Sequence, residues 1–186
     1  MNLESPWSAP DYANWAADVI AVRGLGGSAL IGHSYSGMVA VTLAAVHPDV
    51  VGPLIVSDTP GFGEPVSLAQ GVGGAIFDAA LDWALVLRLW PHVASNAITH
   101  RANFVSMIRE SLTADLRELA RRVSAPSLVT WGGRSRLMHS SVVQTLAVSL
   151  SRSQVYVSAH GAHTWVVSRR EEFALAVASF LTSVKR

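Results

Sequence analysis

Ser28-Ala29-Leu30-Ile31-Gly32-His33-Ser34-Tyr35-Ser36-Gly37-Met38-Val39-Ala40 joins a short apolar run to an apolar helix through a serine set among small residues. The run reads as a buried strand, and the junction as the sharp strand-to-helix turn that lifts a serine hydroxyl above a sheet, a nucleophile elbow. Such a turn is strained and leaves no room for large neighbours, so Gly32, Ser36 and Gly37 matter as much as Ser34. The common spacing is Gly-x-Ser-x-Gly; here Ser36 holds the fifth place and the glycine follows one residue later.

Outward from this stretch, strands and helices alternate. Ser8-Ala9-Pro10-Asp11 reads as a capping box, followed at helical spacing by Tyr12, Trp15, Ala16, Val19 and Ile20, with Gly24 as the stop. The helix after the elbow ends at His47-Pro48. Further short apolar strands are expected at 54–56, 127–131 and 154–158. A last helix opens on Glu171-Glu172 and carries Phe173, Val177, Phe180, Leu181 and Val184 on one face, with Lys185-Arg186 at its end. Strands apolar on both faces, alternating with helices, imply a mainly parallel sheet covered on both sides, an α/β fold. The region 61–125 breaks the alternation. It reads as a helical cap inserted between core segments 1–60 and 126–186, and Phe77, Trp83, Leu87, Trp90, Phe104 and Met107 either form the cap's own core or line a ligand site over the strand ends.

Composition narrows the function classes. The chain has 186 residues, enough for one domain with a real core, and is 50% hydrophobic with only 15% charged residues. A net charge of +1 without a basic cluster argues against nucleic acid. The absence of cysteine excludes disulfides and thiolate metal sites and suits a cytoplasmic setting. The Met1–Pro6 segment has neither the basic start nor the apolar run of a signal peptide, and the apolar stretch 75–90 is broken by Asp78, Asp82 and Arg88, so no membrane span is expected. Richness in Ala, Val and Arg with a single lysine, Lys185, suggests a GC-rich bacterial source.

A serine hydroxyl needs a base within hydrogen-bond reach. In Ala159-His160-Gly161-Ala162-His163, a loop between the last strand and the last helix, His163 is the chosen base and His160 its rival. Without a further ligand cluster the two histidines do not make a metal site, and no cofactor is implied. His33 reads as a residue that shapes the turn and borders the substrate site. His47, His92, His100 and His139 read as ordinary packing or surface residues.

With these pieces in place the chain resembles the α/β-hydrolase family. The elbow Gly32-His33-Ser34-Tyr35-Ser36-Gly37, the strand end Trp131-Gly132, and the histidine loop ahead of Glu171-Glu172-Phe173 fall in the family's order of nucleophile, acid and histidine. The insertion falls where the family carries its cap. The resemblance implies Ser34 as nucleophile, His163 as general base, the Tyr35 backbone N–H as an oxyanion donor, and an acid three residues after Gly132. That place holds Ser135 instead. Loss of a triad's acid charge costs on the order of 10⁴ in turnover. Asp58, at the end of the 54–56 strand, is the candidate substitute; the alternative is that it only caps its turn. The family also has strands ahead of the elbow, including a loop that gives a second oxyanion amide. This chain starts too late for them, which implies a truncated fold with 28–32 as an edge strand, open to self-association or to completion by a separate N-terminal segment.

Two function classes follow from the resemblance. One is a serine hydrolase of small apolar esters, lactones or related acyl compounds acting through an acyl-enzyme on Ser34, with Trp83, Trp90 and Phe104 as candidate substrate-binding residues. The other is a weakened or inactive relative that binds a small molecule or needs a complementing segment. Serine at the elbow argues against the aspartate-nucleophile dehalogenases and epoxide hydrolases of the same fold.

Overall fold

The computed structural model describes residues 6–137 and 141–184. Glu4, Ser5, His139 and the terminal Lys185-Arg186 pair lie outside the described residues.

The helix read from the Ser8 capping box is α1, Ala9–Val22. Ser8 and Asp11 bond reciprocally, with the Asp11 carboxylate accepting from Ser8 N–H at 2.8 Å. The chain leaves α1 at Gly24, whose φ of 63° is one that glycine adopts without strain. Small residues, Ala9, Ala13 and Ala17, seat α1 on its neighbour, while Trp15 and Val19 stay largely exposed. The wide apolar stripe read from the sequence therefore splits: alanines form the contact face, and Tyr12, Trp15 and Ala16 turn towards a cavity described below.

Four strands follow: β1 (Leu30–His33), β2 (Leu54–Ser57), β3 (Ser127–Gly132) and β4 (Ser153–Ser158). They form one sheet in the order β1-β2-β3-β4, every pair parallel. Helices α2 (Tyr35–Val46), α7 (Ser141–Ser149) and, after the short α8 (Trp165–Ser168), α9 (Arg170–Val184) connect or follow them, as the alternation predicts. Side chains alternate across the sheet. Leu54, Val56 and Val129 pack with Ala13 and Ala17 of α1, Val41 and Ala44 of α2, Ala120 and Leu146. Ile55 and Leu128 point the other way, onto Val177 and Phe180 of α9.

Burial on both faces holds for β2 and β3, which are buried at every position. It fails at the margins. β1 is an edge strand, and Ile31, in register with buried Ile55, is 53% exposed. β4 is the other edge, with Val155 and Val157 about half exposed.

Between β2 and β3 the chain is helical: α3 (Leu68–Leu81), α4 (Trp83–Thr99), α5 (Arg101–Thr113) and the short α6 (Arg117–Ala120). Phe62, Ala120 and Val123, near the two ends of this region, are buried in the main core. His33, Ser57 and Thr130 stand in register at the carboxyl ends of β1 to β3, where open α/β sheets bind ligands.

Candidate active site

Ser34 occupies the single residue between β1 and α2, at φ 55° and ψ −128°. A non-glycine residue at such angles carries about 1–3 kcal/mol of strain and persists only where its surroundings over-determine it. They do so here. Ser34 N–H donates to the Ser57 carbonyl at the end of β2 (2.9 Å), and Gly37 N–H donates to the Ser34 carbonyl (2.9 Å). The Ser36 hydroxyl accepts from His33 N–H (3.0 Å) and donates to the His33 carbonyl (2.8 Å). Ser36 thus does more than fit its place: it ties the turn shut. A Cβ on Gly32 would stand 2.6 Å from the Ser36 carbonyl oxygen and 2.7 Å from the Gly37 Cα, and one on Gly37 would collide with the Thr59 hydroxyl.

His163 arrives from the loop after β4, and its Nε2 lies 3.0 Å from Ser34 Oγ. Its rival His160 is exposed and lines a separate polar hollow with Asp82 and Arg134. His33 Nε2–H donates to the His163 carbonyl at 2.7 Å, and the two rings lie 4.9 Å apart. His33 therefore supports the histidine loop from beneath. Burial pushes the His163 imidazole down to about 3, with His33 adding to the shift; burial also lowers His33. Both rings are neutral at pH 7, which keeps the base form of His163 available. Its other nitrogen, Nδ1, is buried with no partner among the described residues. In a triad that nitrogen faces the acid.

No hydrogen bond joins Asp58 to that nitrogen. Asp58 is 1% exposed, at φ 46°, and its carboxylate accepts from Trp165 Nε1 (2.9 Å), Ser57 Oγ (2.9 Å) and Gly132 N–H (3.2 Å). Burial pushes it up to about 7 against the pull of these bonds, with the Asp78 charge contributing to the rise. The structure shows Asp58 joining the ends of β2 and β3 to the fully buried Trp165 and gives it no bond to His163.

Ser135, at the usual acid position, donates its hydroxyl to Asp78 at 2.8 Å. The same carboxylate accepts Arg136 N–H (2.9 Å) and Leu137 N–H (3.2 Å). One turn further along the cap, the Thr164 hydroxyl, next to His163, donates to the Asp82 carboxylate. Sequence reading treated Asp78 and Asp82 only as charges that break an apolar stretch; carboxylates inside so apolar a run were the signal that they face something specific.

Tyr35 opens α2, where a backbone N–H has no intrahelical acceptor and the helix dipole favours negative charge. Its phenol donates to Glu110 of α5 at 2.6 Å, and Glu110 also accepts Ala9 N–H, so one cap carboxylate ties the elbow to α1. Burial, then the Glu110 bond, raises the Tyr35 phenol above its ordinary value. Beside this tie lies a largely apolar cavity of about 700 Å³, lined by Tyr12, Trp15, Val39, Val93, Phe104 and Met107 and reaching Tyr35 and Ser36. Of the three cap aromatics chosen from the sequence, Phe104 is in its wall. Trp83 and Trp90 are 63% and 61% exposed and outside it. Leu87 and Leu89 of α4 are exposed as well, while Val93 lines the cavity.

Among the described residues no cluster of three or more His, Asp or Glu side chains could hold a metal ion, and no helix is long and apolar enough to cross a membrane.

A parallel sheet with a strained serine at the end of its edge strand, a histidine over it and a helical insertion define the α/β-hydrolase fold. Known proteins agree. The membrane phospholipase A described as a bacterial virulence factor superposes with a TM-score of 0.82 at 24% identity, covering 98% of this chain and 66% of its own. A pimeloyl-[acyl-carrier protein] methyl ester esterase of Neisseria meningitidis is 27% identical, covering 97% of this chain and 80% of its own. A monoacylglycerol lipase of Mus musculus is 28% identical over 71% of this chain and 38% of its own. No protein-family model matches the sequence. The chain has the α/β-hydrolase fold, and the relatives it matches in sequence are named as an esterase and a lipase.

Proposed function

We propose that the protein is a serine hydrolase of small apolar esters, lactones or related acyl compounds. The observation that carries this reading is the 3.0 Å approach of His163 Nε2 to the strained Ser34. Ser34 Oγ forms a bond to the substrate carbonyl carbon while its proton passes to His163 Nε2. The Tyr35 N–H faces the developing oxyanion at the helix N-terminus. Collapse breaks the bond to the leaving alkoxide, which takes the proton from His163 and departs as an alcohol. Water then attacks the acyl group by the same route and restores Ser34. The apolar cavity beside Tyr35 and Ser36 suits a hydrocarbon-rich substituent. We place the activity in the cytoplasm, whose reducing conditions a cysteine-free chain suits.

With Nδ1 of His163 unpartnered, the imidazolium formed on attack lacks a carboxylate, so a slow enzyme is expected, on the order of 10⁴ below a complete triad. The same orphaned nitrogen favours a second reading, a binding protein in which Ser34 is idle. Hydrolysis of p-nitrophenyl acetate and butyrate separates the two. The hydrolase reading expects a rate above buffer that Ser34→Ala and His163→Ala both abolish; a rate indifferent to Ser34→Ala, or none above buffer, supports the binder.

A further inference from the structure

Gly74 and Asp78 stand four residues apart on one face of α3, and Asp82 caps the helix four residues further on. That face lies on the loops flanking His163. A Cβ on Gly74 would run into the Arg136 carbonyl oxygen, so helix and loop approach more closely than any larger residue allows. Asp78, 5% exposed, takes three donors from residues 135–137. The Arg136 guanidinium lies over the Phe77 ring at 5.4 Å. Asp82 takes the Thr164 hydroxyl. The two loops are also joined to each other: Gly133 N–H donates to the Ser158 carbonyl and Arg134 N–H to the Gly161 carbonyl, both at 2.8 Å. A buried carboxylate without a cation is costly unless donors satisfy it, and Asp78 has gathered two consecutive backbone N–H groups and the one side chain that stands where an acid is expected.

We propose that Asp78 and Asp82 are positioning residues of the hydrolytic site, through which cap helix α3 holds the acid-position loop and the histidine loop in register. The inference rests on the serine-hydrolase reading above. The carboxylate absent from position 135 has a counterpart on the cap: Asp78 meets Ser135 from the opposite side, with the charge on α3 instead of on the loop. Asp82, through Thr164, fixes the backbone on which the His163 ring is mounted. The arrangement dictates how the pair responds to exchange. Ser135→Asp alone sets two carboxylates against each other at hydrogen-bond distance, whereas Asp78→Asn with Ser135→Asp reverses the bond, the new amide donating to the new acid.

The test is steady-state hydrolysis of p-nitrophenyl butyrate by the whole chain and by Asp78→Asn, Ser135→Asp, the double variant and Thr164→Val, with a thermal melt for each. Misplacing a catalytic group by about an ångström costs up to roughly 10²-fold. Asp78→Asn and Ser135→Asp should each therefore lower kcat by about tenfold or more, with KM changed less than about twofold. The double variant should recover kcat to at least the starting value. Thr164→Val, which removes one hydroxyl at nearly constant volume, should lower kcat several-fold while the melting temperature holds. Ser135→Asp alone raising kcat, the double variant performing no better than Asp78→Asn, or Ser34-dependent activity indifferent to both Asp78→Asn and Thr164→Val would overturn the proposal and leave the hydrolase reading standing. A wild-type chain without Ser34-dependent activity would overturn both.

Discussion

The elbow at Ser34 and the loop at 135–137 flank the same histidine, yet they are held in opposite ways. The elbow is secured mostly by its own sequence. Ser36 bonds back to His33 and Gly37 to Ser34, the Ser34 N–H reaches Ser57 on the adjacent strand, and only side chains tie the elbow further out, His33 to the His163 carbonyl and Tyr35 to Glu110 of the cap. The 135–137 loop is secured by Asp78, more than fifty residues earlier and on the cap. A turn closed by bonds between residues three apart depends little on where the cap sits. A loop closed by a distant helix depends on where that helix sits. The nucleophile is therefore built into the core, while the support of its base is shared with the insertion.

The sharpest way to break this contrast is Gly32→Ala. Its new methyl group meets two backbone atoms, 2.6 and 2.7 Å away, which cannot move without opening the elbow. Overpacking of this kind costs up to about 3 kcal/mol, and urea unfolding should show a loss of that size together with loss of esterase activity. A stable, active variant would mean that the elbow tolerates more than its geometry allows. Asp78→Asn, by contrast, should act on turnover more than on the sheet.

A smaller effect comes from pH, because His163 stands between the two regions. Its folded value of about 3 lies below the ordinary 6.5, so the unfolded chain binds the extra proton between those values. The stability this supplies is complete above pH 6.5 and is lost as pH falls towards 3. Asp58, raised to about 7 from 3.8, runs the other way: its contribution is present below pH 4 and lost as pH rises to 7. Between pH 4.5 and 6.5 the two contributions therefore oppose each other in the parent chain, and His163→Gln, which leaves the Asp58 slope uncompensated, should lower the denaturation midpoint at pH 6.5 relative to pH 4.5 by more than the parent shows. An unchanged difference would show that His163 is not buried as a neutral base.

The same contrast explains what was legible in the sequence. The elbow, the four strands, the capping box at Ser8 and the choice of His163 over His160 rest on short-range patterns: apolar runs, glycine positions, a histidine loop ahead of a helix. The missing carboxylate at Ser135 was legible too. What replaced its contacts was not, because Asp78 acquires meaning only when α3 folds back over the strand ends. Asp58 stayed open between acid and turn cap for the same reason. Its place at a strand end fits an acid, but Trp165, 107 residues later, takes up its oxygen. Trp83 and Trp90 lie outside the cavity, and in sequence an aromatic residue of a cap looks alike whether it faces a cavity or solvent.

The central claim is that Ser34 is a mounted and activated nucleophile. Incubation with a fluorophosphonate, followed by intact-mass and peptide analysis, tests it most directly: attack forms a Ser34 O–P bond, expels fluoride and sends the proton through His163 to solvent. The expected result is a single adduct on Ser34, absent from Ser34→Ala and much slower in His163→Ala. An unlabelled chain, or an adduct that persists in Ser34→Ala, would contradict it.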